Sequence, residues 1–279
     1  MPLDLNKIKS RLEALKTTST KSNSLWKPSP GKQVIRIVPY AHQPENPFIE
    51  LLFHYGINGK TYLSPSSFGR PDPIVEFANK LKKSGDKEEW KQGRALEPKM
   101  RTYVPILVRG LEHEGVKFWG MGKQVYQELL AIIADPDYGD ITDLKSGRDI
   151  NVTFKTAEET GKSFPETTIM VRPVQTVAFD ASDASLREKV KNQKNVTELF
   201  PEPTYDDLAL AMETHLNAGS PDETGDGAAE AIATGEASAE ETPVAPAKTV
   251  TSATAKAAVK APASTKEIAD EFADLFDKP

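Results

Sequence analysis

Apolar and polar positions alternate at strand-like spacing through most of residues 26–172. Gln33-Val-Ile-Arg-Ile-Val38 is a β-branched run stopped by Pro39. Phe48-Ile-Glu-Leu-Leu-Phe-His-Tyr55 leads to Asn58-Gly59, the dipeptide of a two-residue hairpin turn, and Lys60-Thr-Tyr-Leu63 returns. Tyr103-Val-Pro-Ile-Leu-Val-Arg109 and Val116-Lys-Phe-Trp119 flank a glycine-bounded loop and read as a second hairpin. Ile150-Asn-Val-Thr-Phe-Lys155 and Thr168-Ile-Met-Val-Arg172 make a third pair. Two segments switch to helical spacing: Pro73–Lys83, with Ile74, Phe77, Ala78 and Leu81, and Lys123–Ala134, with Val125, Leu129 and Ile132. A last helix runs from Thr204 to Asn217, with Thr204 and Asp207 in a near capping-box relation. Short strands in hairpins with inserted helices predict an α+β, mainly β fold. Its expected core is a five-stranded Greek-key barrel of the oligonucleotide-binding (OB) type, although periodicity alone does not separate that barrel from other α+β sheets.

The two ends read differently from this core. Residues 4–16 place Leu5, Ile8, Leu12 and Leu15 on one helical face and Lys7, Lys9, Arg11 and Lys16 mainly on the others. A polar hinge, Thr17–Ser24, follows. Such a basic amphipathic helix packs on its own core, docks on a neighbouring subunit or lies on a membrane, and the hinge favours docking elsewhere. Beyond Asn217, residues 218–263 hold Ala, Pro, Thr and Glu without hydrophobic periodicity, a tether too apolar-poor to offset an ordering cost of about 1–2 kcal/mol per residue. At 264–279 Phe272, Leu275 and Phe276 reappear among Glu267, Asp270, Glu271, Asp274 and Asp277. This i, i+3, i+4 cluster fits a helix face formed on binding a partner; the plainer alternative is a polar tail. The expected organisation is an arm (1–24), a core (25–217), a disordered linker (218–263) and an acidic-aromatic tail (264–279).

Charge follows the same division. The chain of 279 residues has net charge −6, but residues 1–36 hold 8 Lys/Arg against 2 Asp/Glu, whereas 216–279 hold 5 against 12. A surface field depends on where charges sit, so the average conceals a basic front and an acidic end. With no cysteine, disulfides and thiolate zinc sites are excluded. No apolar run approaches the roughly 20 residues needed to cross a bilayer, and no secretory leader is evident, so a reducing cytoplasm is the expected location.

Cations and rings interleave at Lys99, Arg101, Tyr103, Arg109, Lys117, Phe118, Trp119, Lys123 and Tyr126. Single-stranded nucleic acid demands this mixture: cations neutralise phosphates, and exposed rings stack on unpaired bases for about 1–3 kcal/mol each. Phe118 and Trp119 diverge along a strand, and for any one ring core packing competes with stacking. Arg36, inside an apolar strand, needs either a phosphate or a neighbouring carboxylate. Enzyme readings fail: Gly120-Met-Gly-Lys-Gln124 lacks the leading glycine and the trailing Ser/Thr of a phosphate loop. Asp135, Asp137, Asp140 and Asp143 lack calcium-loop spacing and read as turn caps. His42, His54, His113 and His215 form no closely spaced metal pair.

The order of basic arm, Trp26-Lys27, Gln33–Pro39, Asn58-Gly-Lys-Thr-Tyr62, Ile106-Leu-Val108 and Gly122-Lys-Gln-Val-Tyr126 resembles the single-stranded-DNA-binding (helix-destabilising) replication proteins of T-even-type phages, over roughly residues 1–200. The resemblance implies an OB-fold core, an arm for cooperative self-association and an acidic end that recruits replication proteins such as polymerase, primase, helicase loader and recombinase in the bacterial host cell. It implies that Arg36 lines the DNA cleft, that Lys7, Lys9, Ser10 and Arg11 form the arm's basic-plus-hydroxyl motif, and that Lys99, Arg101 and Thr102 hold its second copy. Trp119, Tyr126 and Phe164 fall where the family has rings near DNA. Better-known members hold zinc with one histidine and three cysteines in the segment corresponding to Tyr62–Lys80; here Ser64–Val75 supplies no thiolate, so the zinc is expected to be lost and no cofactor is expected. The leading expectation is a non-enzymatic protein that coats single-stranded DNA in replication, recombination and repair. The alternatives are an RNA-binding or chaperone module on the same barrel, and a scaffold that binds only proteins.

Overall fold

In the computed structural model residues 24–180 and 182–217 are described; the expected arm helix, tether and terminal peptide lie outside them. Among the described residues eight strands form one sheet, accompanied by six α-helices and short 3-10 turns. The strands are β1 (Leu25–Trp26), β2 (Gly31–Ile37), β3 (Ile49–Ile57), β4 (Lys60–Leu63), β5 (Lys99–Val108), β6 (Lys117–Met121), β7 (Arg148–Lys155) and β8 (Glu166–Gln175). The helices are α1 (Pro73–Lys83), α2 (Lys87–Leu96), α3 (Lys123–Ala134), α4 (Ala157–Thr160), α5 (Ala184–Lys191) and α6 (Tyr205–Asn217). The class is α+β and strand-rich, and none of the described helices is long and apolar enough to cross a membrane.

β5 organises the sheet. Its first half pairs with β3, Leu51 opposite Arg101, and its second half with β2, Arg36 opposite Leu107. Its other edge takes β6, Thr102 facing Met121. β2 continues to β7, and β7 to β8. β1 joins β6 in parallel, which makes an otherwise antiparallel sheet mixed. The Asn58-Gly59 turn closes β3 onto β4 with both residues at positive φ (53° and 68°), the conformation those two residue types tolerate.

The helices start where the sequence places capping side chains. Asp72 caps α1, accepting from Ile74 N and Val75 N with Pro73 next, and Lys80, Lys82 and Lys83 end it. Thr204 and Asp207 hydrogen-bond reciprocally at the start of α6. The sequence gives no strong period for α2, whose apolar residues are few. It nevertheless forms behind the Asp86 cap and docks on α1 through Gly93, where an added Cβ would stand 2.6 Å from the Ala78 carbonyl oxygen.

The inner face of the sheet carries Ile35, Ile37, Val104, Ile106, Trp119, Ile150, Val152, Ile169 and Val171, closed by Val125 and Leu129 of α3, which packs against both β5 and β8. The outer face of β5 and β2 is covered as well. Val38 and Leu107 pack under Ala178, Leu186 and Val190, while Tyr40, Tyr103 and Phe118 pack under Val196, Leu199 and Phe200. A third cluster ties α6 to α1 and the β3–β4 hairpin through Leu208, Met212, Ile57, Ile74, Phe77 and Leu81.

Candidate nucleic-acid interface

The ten expected DNA-contact residues do not share one surface. Arg36, Arg101, Tyr103, Trp119 and Tyr126 are buried. Arg109 and Lys117 are partly covered and ion-paired, and Lys99, Lys123 and Phe164 are exposed. A trough lined by Arg36 and the whole Lys99–Tyr126 cluster is therefore not what the fold presents. The physical reason is the second covering layer: residues 176–200 lie across the outer face of the central strands, so side chains on both faces of β5 are buried.

Each buried member has a structural occupation. Arg36 is 0% exposed; its Nη2 donates to the Thr176 carbonyl and, at 2.8 Å, to the Thr176 hydroxyl, while Nε lies 3.5 Å from Asp149 Oδ1. Burial holds its pKa below the ordinary arginine value, Arg109 acting in the same direction and Asp149 and Asp143 opposing. Arg109 donates from Nε and Nη2 to Asp149 Oδ1 (3.1 and 2.7 Å), from Nη1 to the Ala178 carbonyl (2.7 Å) and from Nη2 to the Val177 carbonyl (2.8 Å), pinning the covering segment to β7. Of the alternatives open for Arg36, the neighbouring carboxylate is the one the fold realises. Arg101 donates to the Gly120 carbonyl at 3.1 Å. Trp119 packs edge-on to Trp26 at 5.8 Å. The Tyr126 hydroxyl donates to Glu50 at 2.9 Å, and burial together with that carboxylate pushes its pKa up to about 12. Lys117 pairs with Glu114 at 2.6 Å.

The surface offers another cationic feature. The inner row Ile150, Val152, Phe154 reaches the end of the sheet, where Phe154 stands opposite Gly31 on β2 and Thr167 on β8. There a shallow depression is bounded by Pro28, Gly120, Gly122, Val125, Phe154 and Thr167 over Trp119 and Met121. Three exposed lysines adjoin its lining in sequence, Lys27 beside Pro28, Lys123 beside Gly122 and Lys155 beside Phe154, and a fourth, Lys32, follows Gly31, the strand partner of Phe154. None of these four makes an ion pair within 4 Å among the described residues, in contrast to Arg36, Arg109 and Lys117, although Lys155 stands opposite Glu166 on β8. The depression also lies at the start of α3, whose N-cap Gly122 has no capping side chain. The positive end of a helix dipole favours anions. Exposed Lys99 lies elsewhere, at the start of β5 opposite Phe53 of β3 and near Leu96 and Glu97.

A profile of the gp32 DNA binding protein like family matches residues 29–215, two thirds of the chain and nearly all of the described fold. The chain belongs to that family. It carries a gp32-like DNA-binding domain; Lys32, Lys123 and Lys155 fall inside the matched segment and Lys27 two residues before it. No curated protein matches the chain.

The sequence reading missed Lys27, Lys32, Lys155 and Phe154 as a group because they come from three strand ends that only the sheet register brings together. Trp90 was also missed. It is 46% exposed on α2 with the Arg94 guanidinium 5.4 Å over its ring, and its position on the polar face of a weakly periodic helix was the available signal. The expected self-association residues Lys7, Lys9, Ser10 and Arg11 and the partner-binding Phe272, Leu275 and Phe276 lie outside the described residues. The four aspartates Asp135, Asp137, Asp140 and Asp143 are turn residues: Asp135 accepts from Asp137 N, Asp140 from Thr142 N and Asp143 from Lys145 N and Ser146 N.

The zinc that the family resemblance implies does not fit the donors present. Around His54 the other side-chain donors are Asp72 and Ser64, hydrogen-bonded to His54 or to each other. There is no cysteine, and among the described residues no group of three His, Cys, Asp or Glu side chains is placed to hold a metal.

Proposed function

We propose that this protein binds single-stranded DNA without strong sequence preference, through the lysine-rimmed end of the sheet at the start of α3. The observation that carries the reading is the set of unpaired lysines, Lys27, Lys32, Lys123 and Lys155, around an open depression within a DNA-binding domain. Phosphates would neutralise these lysines and meet the positive end of the α3 dipole. Phe154, at the mouth of the depression, and Phe164 offer faces on which bases stack. Arg36, Arg101, Tyr103, Trp119 and Tyr126 shape the platform from beneath, and Arg109 locks the covering segment in place. The curved sheet closed by α3 is compatible with an OB-type barrel.

In this reading the basic arm docks on a neighbouring copy and makes coating cooperative, and the acidic end competes with DNA for the lysines while presenting Phe272, Leu275 and Phe276 to replication, recombination and repair proteins. The site does so in the cytoplasm of a phage-infected bacterium. Binding, not bond cleavage, is the activity.

The test is a titration of labelled oligodeoxythymidylate and of duplex of equal length across a salt series. Affinity for the single strand should exceed that for the duplex and fall steeply with salt. Each Lys→Ala substitution at positions 27, 32, 123 and 155 should lower the log–log salt slope by about 0.7, while Lys145→Ala, on a remote turn, leaves it unchanged. Salt-independent binding, or equal slopes in all five variants, overturns the proposal. Competition with a matched oligoribonucleotide separates a DNA preference from general single-strand binding.

A further inference from the structure

The place where the resemblance puts zinc is filled by a compact polar cluster. His54 on β3, Ser64 after β4 and Asp72 before α1 are all buried, with 1% exposure at most for the His54 and Asp72 side chains. Asp72 Oδ2 accepts from His54 Nε2 at 2.9 Å and from Ser64 Oγ at 2.5 Å. Its Oδ1 accepts from Ile74 N at 2.9 Å and Val75 N at 3.2 Å. The remaining ring nitrogen, His54 Nδ1, lies 3.1 Å from the Leu96 carbonyl oxygen at the end of α2. Both imidazole nitrogens face oxygen acceptors, so neither has a lone pair turned toward a metal. Both carboxylate oxygens are likewise occupied.

We propose that His54, Asp72 and Ser64 form a metal-free clasp that does the ordering work zinc does elsewhere in the family. One carboxylate receives four hydrogen bonds and joins β3, the β4–α1 connection and the first turn of α1, while the histidine carries the link on to α2. Buried polar groups satisfied this fully specify one arrangement, because losing any partner strands the rest away from water. The Ile74, Phe77 and Leu81 cluster packs behind the clasp but is not directional. The hydrogen bonds are what set the angle at which the α1–α2 pair meets the hairpin. This inference is independent of where DNA binds.

The experiment uses the full chain. Elemental analysis of purified protein should find zinc well below one equivalent, and a chelator should leave the thermal midpoint and the single-strand affinity unchanged. Asp72→Asn keeps an oxygen to cap α1 but presents an amide to His54 and Ser64; it should lower the midpoint by on the order of 5 °C and speed hydrogen exchange over residues 52–97 while leaving β7 and β8 protected. Ser64→Ala should do the same to a smaller degree. One equivalent of zinc whose removal lowers the midpoint overturns the proposal, as does an Asp72→Asn protein with wild-type midpoint and exchange. Since metal content and folding are the readouts, failure of the clasp is distinguishable from failure of DNA binding.

Discussion

Asp149 holds a disproportionate share of the buried charge. It is 4% exposed, takes two hydrogen bonds from Arg109, lies 3.5 Å from Arg36 and has Arg172 at 3.9 Å. The asymmetry of buried pairs then predicts unequal mutants. Removing the carboxylate strands Arg36 in the interior, and Asp149→Ala should cost roughly 3–5 kcal/mol in urea unfolding. Arg36→Met leaves Asp149 its other arginines and should cost less than about 1 kcal/mol. If Arg36 were a DNA ligand, as the family resemblance implies, the methionine variant would lose single-strand affinity while keeping its stability. Two tyrosines give a pH signature. Burial, reinforced by Glu50 for Tyr126 and by Glu76 for Tyr205, raises each pKa to about 12. The unfolded phenols ionise near 10, so the folded state holds protons the unfolded state has lost. Their stabilisation is complete below about pH 10 and disappears as pH rises through 12. A Tyr126→Phe, Tyr205→Phe double variant should therefore show a flatter decline of unfolding midpoint over that window.

Contacts between elements explain where local reasoning succeeded and where it stopped. α1, α3 and the β3–β4 hairpin were legible because their signals are local: an Asp-Pro start, an apolar stripe, an Asn-Gly turn. α2 was not, because its stability comes from the α1 contact at Gly93. Glycine to alanine in a helix ordinarily stabilises by about 0.5–1 kcal/mol. At Gly93 the new methyl group would meet the Ala78 carbonyl and Lys82 Cγ at 2.6 and 2.9 Å, and backbone does not yield. Overpacking of this kind costs about 1–3 kcal/mol, so Gly93→Ala should lower the thermal midpoint. Retention of wild-type stability would show that the α1–α2 pair is more compliant than its spacing implies. The parallel β1–β6 pairing and the layer over β5 escaped notice for a related reason, since both join segments far apart in sequence.

For the molecule as a whole, charge distribution governs the expected behaviour. Residues 24–217 carry 25 Lys/Arg and 27 Asp/Glu, close to neutral, so the lysine-rimmed end matters through its local field rather than net charge. The acidic end holds the strongest opposing charge. Deleting residues 264–279 should tighten oligodeoxythymidylate binding, most at low salt where screening is weakest. Deleting residues 1–20 should reduce clustering on long strands more than affinity for a short oligonucleotide. Unchanged affinity after the first deletion, or unchanged clustering after the second, sinks the corresponding role.

Composition and short-range pattern were enough to establish a strand-rich α+β core, most of its hairpins and helix starts, the absence of sulfur ligands and the family resemblance, because each of these depends on neighbours within a few residues. Which cations face solvent was not a local property. On a strand covered on one face, alternation sorts inside from outside; β5 is covered on both, so Arg101 and Tyr103 are as buried as the residues between them. Only the folded chain brings Lys27, Lys32, Lys123 and Lys155 to one end of the sheet, through register across more than a hundred residues, and sets His54, Ser64 and Asp72 within hydrogen-bonding distance through the packing of α1 on the β3–β4 hairpin.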